Sequence, residues 1–360
     1  MIRSISAFPE NLPLTEPYQI SSGIQKEANY VLVTITNQEG ETGIGEASPM
    51  PGYSEDTQSS IIRQISKSLG PPLVGKEERQ IPSIVEEMDH ALKSAWMAKS
   101  AIEIAIHDLV SSERKLSIIE HLGGRVRDSV QVAGSIGFLL RKEAAKKAAR
   151  LVTEGVMTLK VKVGQGVDAD VDLVRAIRST VGREVRLRLD ANQAYEPSKA
   201  ISILRRLEAF EPELFEQPVS KFDTDSMAKI SRAIDTPVVA DEPIEEPMDI
   251  IRFGQASAAD MVKLKVNKCG GITRTIEMCD LAREFGMKVI VGSGHSSSIG
   301  VAAESAVAMS RSNFDPVGEM SGNQRLEKEL VENRLLPSHG SISSWSSKGL
   351  GLTLIGKRSS

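Results

Sequence analysis

Cysteine is scarce in this chain: only Cys269 and Cys279 occur among 360 residues. A disulfide framework needs more cysteines, so a small disulfide-stabilised secreted domain is excluded and a reducing compartment is favoured. The sequence has no run of about 18 uncharged apolar residues, which excludes a helical membrane span. Its first residues, MIRSISAFPENLPL, lack the apolar core of a signal peptide. We therefore expect a soluble cytoplasmic protein.

An excess of charge of one sign is also missing. The 44 basic and 48 acidic residues are mixed along the chain and give a formal net charge of −4. Nucleic-acid and anionic-membrane surfaces need a basic stripe, so neither partner is expected. A chain of this length with 40% apolar residues can bury a large core without disulfides.

The first part of the chain, residues 1–125, has an α+β pattern. The β-rich runs Asn29–Thr36 and Glu41–Ser48 flank the turn NQEG, which predicts a β-hairpin. Residues from about 55 to 122 then alternate apolar and charged positions at helical spacing. Within them, the segment Ala98–Gly124 predicts two helices that end at a glycine.

Residues 126–320 repeat a strand–helix pattern with a period of about 25 residues, which predicts parallel βαβ units. Seven strands and a short eighth at Phe314–Gly318 predict an α/β fold of the TIM-barrel type. An open doubly wound sheet is the alternative, but no glycine-rich phosphate loop follows the first strand. Residues 321–360 lose the repeat and are expected to return to the N-terminal unit. The seven strand segments are VQVAGSIG, TLKVKVG, VRLRLDAN, LFEQPV, PVVADEP, DMVKLKVNK and KVIVGSG.

Ionisable residues occur where buried parallel strands normally read as continuous Val, Ile and Leu. Successive steps along this set are 28, 26, 25 and 27 residues from Lys162 onward, or one βα unit each. Such spacing predicts charges at one height, on the face where barrel active sites form. A single Asp at a strand end is commonly a helix cap, but five charges in register would be costly to bury unpaired. The set comprises Lys160, Lys162, Asp190, Glu216, Asp241 with Glu242, and Lys268.

Three carboxylates on adjacent strands would repel one another unless a cation lies among them. Asp190, Glu216 and Asp241 offer hard oxygen ligands, and no His or Cys stands near them in these motifs. This donor set favours Mg²⁺ over Zn²⁺, with Mn²⁺ as a substitute.

The lysines predict acid–base chemistry. Lys160 and Lys162 are two residues apart on one strand and therefore point the same way. A second ammonium beside Lys162, with partial burial, favours its neutral amine, a usable base near neutrality. Lys268, four strands onward, would approach from the opposite side of the barrel mouth. Bases on two sides of a flat intermediate permit proton removal from one face and return on the other. The alternative for Lys160 and Lys162 is a solvated edge strand.

As a set, these motifs resemble the enolase superfamily, whose sites combine Lys or His bases with Mg²⁺. The most similar subgroup is that of muconate lactonizing enzyme, which includes o-succinylbenzoate synthases, N-acylamino acid racemases and dipeptide epimerases. The resemblance covers nearly the whole chain and implies a (β/α)7β barrel with an N-terminal α+β capping domain over residues 1–125. The motifs that carry it are TLKVKVG, LDAN, FEQP, ADEP and KVNKCGGI, with the hairpin GxGE and the helix AIEIAIHDL.

The resemblance also implies roles for individual residues. Asp190, Glu216 and Asp241 would hold the metal, and Lys162 and Lys268 would form the acid–base pair. Lys160 would assist Lys162 and contact the substrate carboxylate. Asn192 would lie beside the metal, and Glu242 would position or pair with Lys268. Two capping-domain loops would close the site and shape its specificity through Ser22, Ile24, Met50 and Tyr53.

Two features depart from the resemblance. Dipeptide epimerases carry an Asp-x-Asp pair near the eighth strand that holds the substrate amino group, whereas this chain has Asp315 and Glu319 there. A plain dipeptide substrate is therefore not favoured. His295 follows the seventh strand, where a structural role, a substrate contact or a second acid for dehydration are the alternatives. The mandelate racemase subgroup uses a His base there, but Lys268 occupies the comparable station.

The first hypothesis is a racemase or epimerase that removes the proton α to a carboxylate and passes through an enediolate. Its substrate would be a small N-substituted amino acid or a dipeptide-like carboxylate. The same enediolate would also serve a muconate-type cycloisomerase or a dehydratase. A Schiff-base aldolase using Lys162 or Lys268 is a more distant alternative, and a non-catalytic barrel would be expected to have lost these residues. The resemblance further implies a homo-oligomer.

Overall fold

A three-stranded antiparallel sheet forms the start of the chain. The computed structural model describes residues 1–20, 23–49 and 55–356, without the side chains of residues 17–20, 23 and 24. The strand order is β1-β2-β3. The predicted hairpin is confirmed, because β2 pairs with β3 through six residue pairs, from Val31 with Ala47 to Thr36 with Thr42. The strands are β1 (Ile2–Ile20), β2 (Gly23–Asn37) and β3 (Thr42–Ala47).

Helices then cover this sheet, as the sequence predicts. The long central helix α3 is buried at every position from Ala98 to Ser111, because it lies between the sheet and the second unit. Ser117 caps the short helix α4: its side chain accepts from the backbone N–H of Glu120, and the Glu120 carboxylate accepts from Ser117 N in return. The helices are α1 (Gln58–Gln64), α2 (Ile81–Ala91), α3 (Trp96–Glu113) and α4 (Ile118–His121), with a π-helical turn at Ile65–Leu69.

The second unit is a barrel of parallel strands. All seven strands predicted in full are found, the first of them divided into β4 and β5 at Ala133. Seven strands are hydrogen-bonded in chain order from β5 to β11. With β4 (Ser129–Val132), which lies outside that row, the strands are β5 (Gly134–Ile136), β6 (Thr158–Lys162), β7 (Arg186–Asp190), β8 (Leu214–Glu216), β9 (Val238–Ala240), β10 (Met261–Leu264) and β11 (Lys288–Val291).

The eighth strand, β12 (Val317–Gly318), closes the ring. On one side, Glu319 N donates to Val291 O of β11 at 2.9 Å. On the other side, β12 pairs in parallel with β4, and Ala133 N donates to Gly318 O at 2.9 Å. The predicted (β/α)7β topology is therefore confirmed, with the last strand shorter than the predicted segment.

A helix follows each strand from β5 to β11, as parallel connections require. An additional short helix, α10, stands between β10 and the following long helix. The last helix, α12, is buried at every position, which explains its apolar composition. These helices are α5 (Arg141–Thr153), α6 (Val167–Val181), α7 (Pro197–Glu208), α8 (Thr224–Ala233), α9 (Pro247–Ala256), α10 (Val266–Cys269), α11 (Ile272–Glu284) and α12 (Ser298–Ser310).

The C-terminal segment contacts both units. Glu327 N donates to Pro13 O at 2.9 Å, and Ile118 N donates to Gly349 O at 2.8 Å. The strand β13 (Ser341–Ser343) instead pairs antiparallel with β4 at the base of the barrel. The domain limits 1–125, 126–320 and 321–360 stay a prediction.

Two further sequence features can be placed in the structure. The side chains of Cys269 and Cys279 are buried free thiols. Within the described ranges, every helix is too short or too polar to cross a bilayer.

Candidate active site

Three of the predicted site residues stand level at the carboxyl ends of neighbouring strands. Lys162 on β6 pairs in register with Asp190 on β7, which pairs with Glu216 on β8. On β9, however, the partner of Glu216 is Val239, so Asp241 lies two residues farther along. The predicted common height therefore holds for three residues and is wrong for Asp241, because strands of a barrel are staggered by its shear.

Asp190 and Glu216 are buried and share lysine partners. The ammonium of Lys160 lies 2.9 Å from Asp190 Oδ2 and 2.8 Å from Glu216 Oε1. Lys162 Nζ lies 2.6 Å from Asp190 Oδ2. Burial alone would raise the pKa of Asp190, but Lys160 and Lys162 hold it well below its ordinary range. Burial and the Asp190 carboxylate raise the pKa of Glu216 to about 7, against Lys160 and Lys263.

Lys160 is the positive neighbour that the sequence argument placed beside Lys162. Burial lowers the pKa of Lys160, but the carboxylates of Asp190, Glu216 and Glu319 outweigh that effect and raise it well above its ordinary value. Lys160 therefore stays an ammonium, 12% exposed at the barrel mouth.

Asp241 is bound by two lysines, only one of which the sequence argument selected. Lys265 Nζ lies 2.7 Å from Asp241 Oδ2, and Lys268 Nζ lies 3.0 Å from Asp241 Oδ1. Lys265 directly follows the end of β10 at Leu264. Its side chain crosses the end of β11, where a Cβ on Gly292 would lie 3.1 Å from Lys265 Cε.

The prediction that Lys268 lies on the strand is wrong, although its ammonium does reach the carboxylate of Asp241. It lies on α10, beyond the end of β10, and its ammonium also donates to the backbone oxygen of Asp241. The equal spacing favoured Lys268 because a constant step assumes that the strand continues, whereas a helix begins at Val266. Lys265 is therefore the lysine that directly follows the end of β10, the strand opposite β6 and Lys162 in the barrel.

Lys263, inside β10, is a site residue that sequence reasoning missed. Its side chain has no solvent exposure, and its ammonium donates to Glu216 Oε2 and, at 2.7 Å, to Glu319 Oε2. Glu319 also accepts from Lys160 at 2.8 Å. A lysine in the middle of the buried run MVKL is itself the signal that could have identified it, because an unpaired buried ammonium is costly.

The two residues predicted to contact substrate from the eighth strand, Asp315 and Glu319, are bound by basic side chains of the barrel. Asp315 accepts from Arg188 at 3.0 Å and from Val317 N at 2.9 Å, at the end of β12 away from the mouth. The structure therefore removes Asp315 from the set of substrate contacts. Burial raises the pKa of Glu319, but Lys160, Lys263 and Arg188 lower it to about 2, so this carboxylate is charged.

Asn192 and Glu242 form a pair of their own. Asn192 Oδ1 accepts from Lys162, and its amide donates to Glu242 Oε1 at 3.0 Å. Of the two roles predicted for Glu242, pairing with Lys268 is wrong, because Lys268 reaches the adjacent carboxylate of Asp241; positioning of Lys268 stays a prediction. Asn192 does lie beside the predicted metal ligand Asp190, whose Oδ1 accepts from Asn192 N at 2.9 Å.

His295 lies in the loop after β11 and is mostly buried. Its backbone oxygen accepts from the hydroxyl of Tyr30 on β2. Burial and the nearby Arg325 lower the pKa of His295 to about 4, so the imidazole is neutral near pH 7. A protonated His295 is therefore not the second acid. The predicted specificity residues Ser22, Met50 and Tyr53, and the side chain of Ile24, lie outside the described residues.

The donor chemistry of the three carboxylates fits a hard divalent cation. Asp190, Glu216 and Asp241 are buried, come from consecutive strands and carry only oxygen donors. Within the described residues no three acidic, His or Cys side chains converge at metal-ligand distances, since each carboxylate is drawn to lysine ammoniums. The ammoniums of Lys160, Lys162, Lys265 and Lys268 belong to side chains 12–18% exposed, so they can withdraw toward the mouth.

Lys263→Met should lower the free energy of unfolding by about 3–5 kcal/mol, because Glu216 and Glu319 would keep buried charges without this ammonium. Urea denaturation measures the loss. The matched control is Lys76→Met, whose partly exposed pair with Glu87 should contribute less than about 1 kcal/mol. Equal losses in the two variants would contradict a buried pair at Lys263.

Known proteins resemble the chain along almost its full length. Residues 2–123 match the mandelate racemase / muconate lactonizing enzyme N-terminal domain, and residues 143–358 match the enolase C-terminal domain-like family. The chain is 31% identical over 344 residues to L-Ala-D/L-Glu epimerase of Bacillus subtilis (strain 168), covering 95% of this chain and 93% of that protein.

Solved structures agree with this similarity. The dipeptide epimerase of Enterococcus faecalis V583, complexed with Mg and the dipeptide L-Leu-L-Tyr, superposes with a TM-score of 0.93 at 28% identity and covers 98% of this chain and 99% of that one. The N-succinyl Arg/Lys racemase of Bacillus cereus gives a TM-score of 0.94 at 28% identity and covers 98% and 95%.

Proposed function

The chain belongs to the mandelate racemase/muconate lactonizing enzyme family of the enolase superfamily, and on that premise we propose that it is a magnesium-dependent racemase or epimerase. The reaction would remove the proton α to a carboxylate and return a proton to the opposite face. Relatives named for epimerisation and racemisation support this choice over cycloisomerisation.

One observation carries the proposal: two lysines flank three carboxylates across the barrel mouth. Lys162 ends β6 and Lys265 follows β10, four strands away in a ring of eight. Asp190 and Glu216 end two of the strands between them, and Asp241 directly follows the third. A substrate held over the carboxylates would thus present one face to each lysine.

Asp190, Glu216 and Asp241 would hold the Mg²⁺ ion, since their oxygens are the ligands this cation prefers. When bound, Mg²⁺ supplies positive charge that stabilises the developing enediolate. A relative solved with Mg supports the choice of metal. Lys160, which stays an ammonium, is the group that can bind the substrate carboxylate.

The lysines would share one mobile proton. In one direction, the neutral amine of Lys162 takes the α-proton while the ammonium of Lys265 donates its own to the other face. The roles exchange in the reverse direction, so the two lysines start each turnover in opposite protonation states. We choose Lys265 rather than Lys268 as the second base because it follows the strand end inside the mouth, whereas Lys268 lies on α10.

The substrate class we favour is an N-acylated amino acid. A dipeptide with a free amino terminus needs a carboxylate for its ammonium, and both acids of the eighth strand are already neutralised. Asp315 is bound by Arg188, and Glu319 by Lys160 and Lys263. An N-acyl group carries no positive charge and does not require such a partner.

A substrate screen in deuterated buffer with Mg²⁺ tests the proposal. N-acylamino acids, dipeptides and diacids are incubated and followed by proton NMR, mass spectrometry and polarimetry. We expect loss of the α-proton signal, a gain of one mass unit and loss of optical rotation with N-acylamino acids. A new double bond or lactone would favour dehydration or cycloisomerisation, and EDTA-resistant borohydride trapping on lysine would favour a Schiff-base enzyme.

A further inference from the structure

A loop beside the proposed active site is held by carboxyl groups from three different parts of the chain. We define the serine loop as residues Ser293–Ser298, which lead from β11 to the first residue of α12. Ser296 Oγ donates to Glu304 Oε1 of α12 at 2.8 Å. The N–H of Ser298 donates to Glu329 Oε1 of the C-terminal segment at 3.0 Å, and its hydroxyl donates to the same oxygen at 2.7 Å.

One of these carboxyls is Glu46, at the end of β3. It comes from the three-stranded sheet β1–β3, which we call the capping sheet. Ser297 N donates to Glu46 Oε1 at 2.8 Å, and the Ser297 hydroxyl contacts Glu46 Oε2. The approach is close enough to require glycine at position 300, where a Cβ would lie 2.5 Å from Glu46 Oε1. The first sheet thus touches the serine loop through a side chain that is only 2% exposed.

The serine loop borders the proposed second base. It begins directly after Gly292, the residue that the Lys265 side chain crosses. His295 within the loop accepts from Tyr30 of β2. On the other side of Lys265, Asn267 of α10 donates to Ser48 Oγ at 2.8 Å. The capping sheet therefore contacts the chain on both sides of Lys265.

The groups that face Glu46 are acidic or neutral. Tyr30 faces it from β2, Glu304 from α12 and Glu329 from the C-terminal segment. Among the described residues, no lysine, arginine or histidine forms an ion pair with Glu46 or Glu329, and Lys265 acts on Glu304 through its charge. Other titratable or charged side chains on the elements packed around Glu46 bind other partners: Glu103, His107 and Asp108 of α3, Lys265, Lys268 of α10, and Arg325.

We propose that Glu46 is a positioning residue. Its side chain, as an uncharged carboxylic acid, connects the capping sheet to the serine loop and holds that loop against the Lys265 side of the site. Three ionised carboxylates buried together would repel one another, and the charge of Lys265 acts only on Glu304 among them, so protons must be retained in the cluster. A neutral Glu46 accepts from Ser297 N with Oε1. It carries its proton on Oε2, the oxygen that is hydrogen-bonded to the Ser297 hydroxyl.

The acid–base properties of the cluster support this reading. Burial raises the pKa of Glu46 from its ordinary value of 4.5 to about 8, against the Ser297 hydrogen bonds, and the Glu329 carboxylate adds to the rise. A group whose folded-state pKa is raised contributes stability that is present below pH 4.5 and is lost as pH rises through about 8. The hydrogen bonds between Glu46 and the serine loop should therefore weaken in alkaline solution.

Glu46→Gln and Glu46→Ala test the proposal, because glutamine reproduces the shape and hydrogen bonds of the protonated acid. Backbone hydrogen exchange at Ser297 and Ser298 is the first measurement, and it requires no substrate. We expect Glu46→Gln to protect these amides as the wild type does at pH 6.5 and better than the wild type at pH 9. Glu46→Ala should lose protection at both pH values.

The kinetic measurement rests on the proposed function. We expect kcat/KM of Glu46→Ala to fall about tenfold, as is typical when a group that orients a catalytic shell is removed. The ratio of kcat/KM between Glu46→Gln and the wild type should rise through pH 8. Asp108→Asn is the matched control: it alters a buried carboxylate of the same unit that binds Ile44 N, and it should change neither the pH profile nor the serine-loop amides.

Two results would overturn the inference. Glu46→Gln could be as impaired as Glu46→Ala at pH 6.5, which would mean that an ionised carboxylate is needed. Backbone hydrogen exchange in the serine loop could also be the same in Glu46→Ala and the wild type, which would mean that Glu46 does not hold the loop. Because exchange is read without turnover, a failure of the proposed reaction would leave this test decisive.

Discussion

Lys162→Ala and Lys265→Ala should each lose racemisation, with kcat falling by about 10²–10⁴-fold, the range that one general acid or base contributes. Each variant keeps one of the two proposed bases. We therefore expect each to exchange the α-proton of only one enantiomer for deuterium, and the two variants to exchange opposite enantiomers. Proton NMR of separate enantiomers in deuterated buffer measures this directly.

Lys268→Ala is the matched control for the lysine variants. It removes an ammonium that also contacts Asp241 but lies on α10. We expect it to retain exchange with both enantiomers. If Lys268→Ala lost exchange on one face while Lys265→Ala kept both, Lys268 would be the second base, as the sequence spacing indicated.

Glu216→Gln and Asp241→Asn should weaken divalent cation binding by more than about 100-fold, the upper range reported for groups that only orient metal ligands. Each change removes a charged oxygen donor from the set of three. Mn²⁺ binding measured by electron paramagnetic resonance or calorimetry gives the constant without any turnover. Removal of metal by EDTA should abolish α-proton exchange, and added Mg²⁺ should restore it.

Asp315→Asn provides the comparison for the carboxylate variants. Asp315 is an acidic residue of the same barrel that binds Arg188 at the other end of β12. It should bind Mn²⁺ as the wild type does. Unchanged binding in Glu216→Gln and Asp241→Asn would mean that the cation lies elsewhere.

The barrel could be predicted from the sequence because its strands combine apolar runs with charges at a regular step. The same regularity did not locate the end of the sixth barrel strand, β10. The run KLKVNK holds three lysines, and the constant step selected Lys268, although the strand ends at Leu264. A period fixes the spacing of units but not the residue at which a strand gives way to a helix. Lys265 could be proposed in place of Lys268 only once that boundary was known.

Two other features were beyond sequence reasoning for different reasons. The strand β1 carries Pro9, Pro13 and Pro17, which argue against a strand, but proline is tolerated at the edge position that β1 occupies. The contact between Glu46 and Ser297 joins residues 251 positions apart. No local pattern encodes such a pair, because it depends on how the two units pack.

The late position of β12 in the chain has a consequence for biosynthesis. The barrel lacks its last strand until residue 318 leaves the ribosome. Until then the nascent chain has two open sheet edges, on β11 and β4. Unpaired edges are templates for association with other chains, and domains fold as units during synthesis. In the interval before β12 emerges, the nascent chain is therefore open to misassembly.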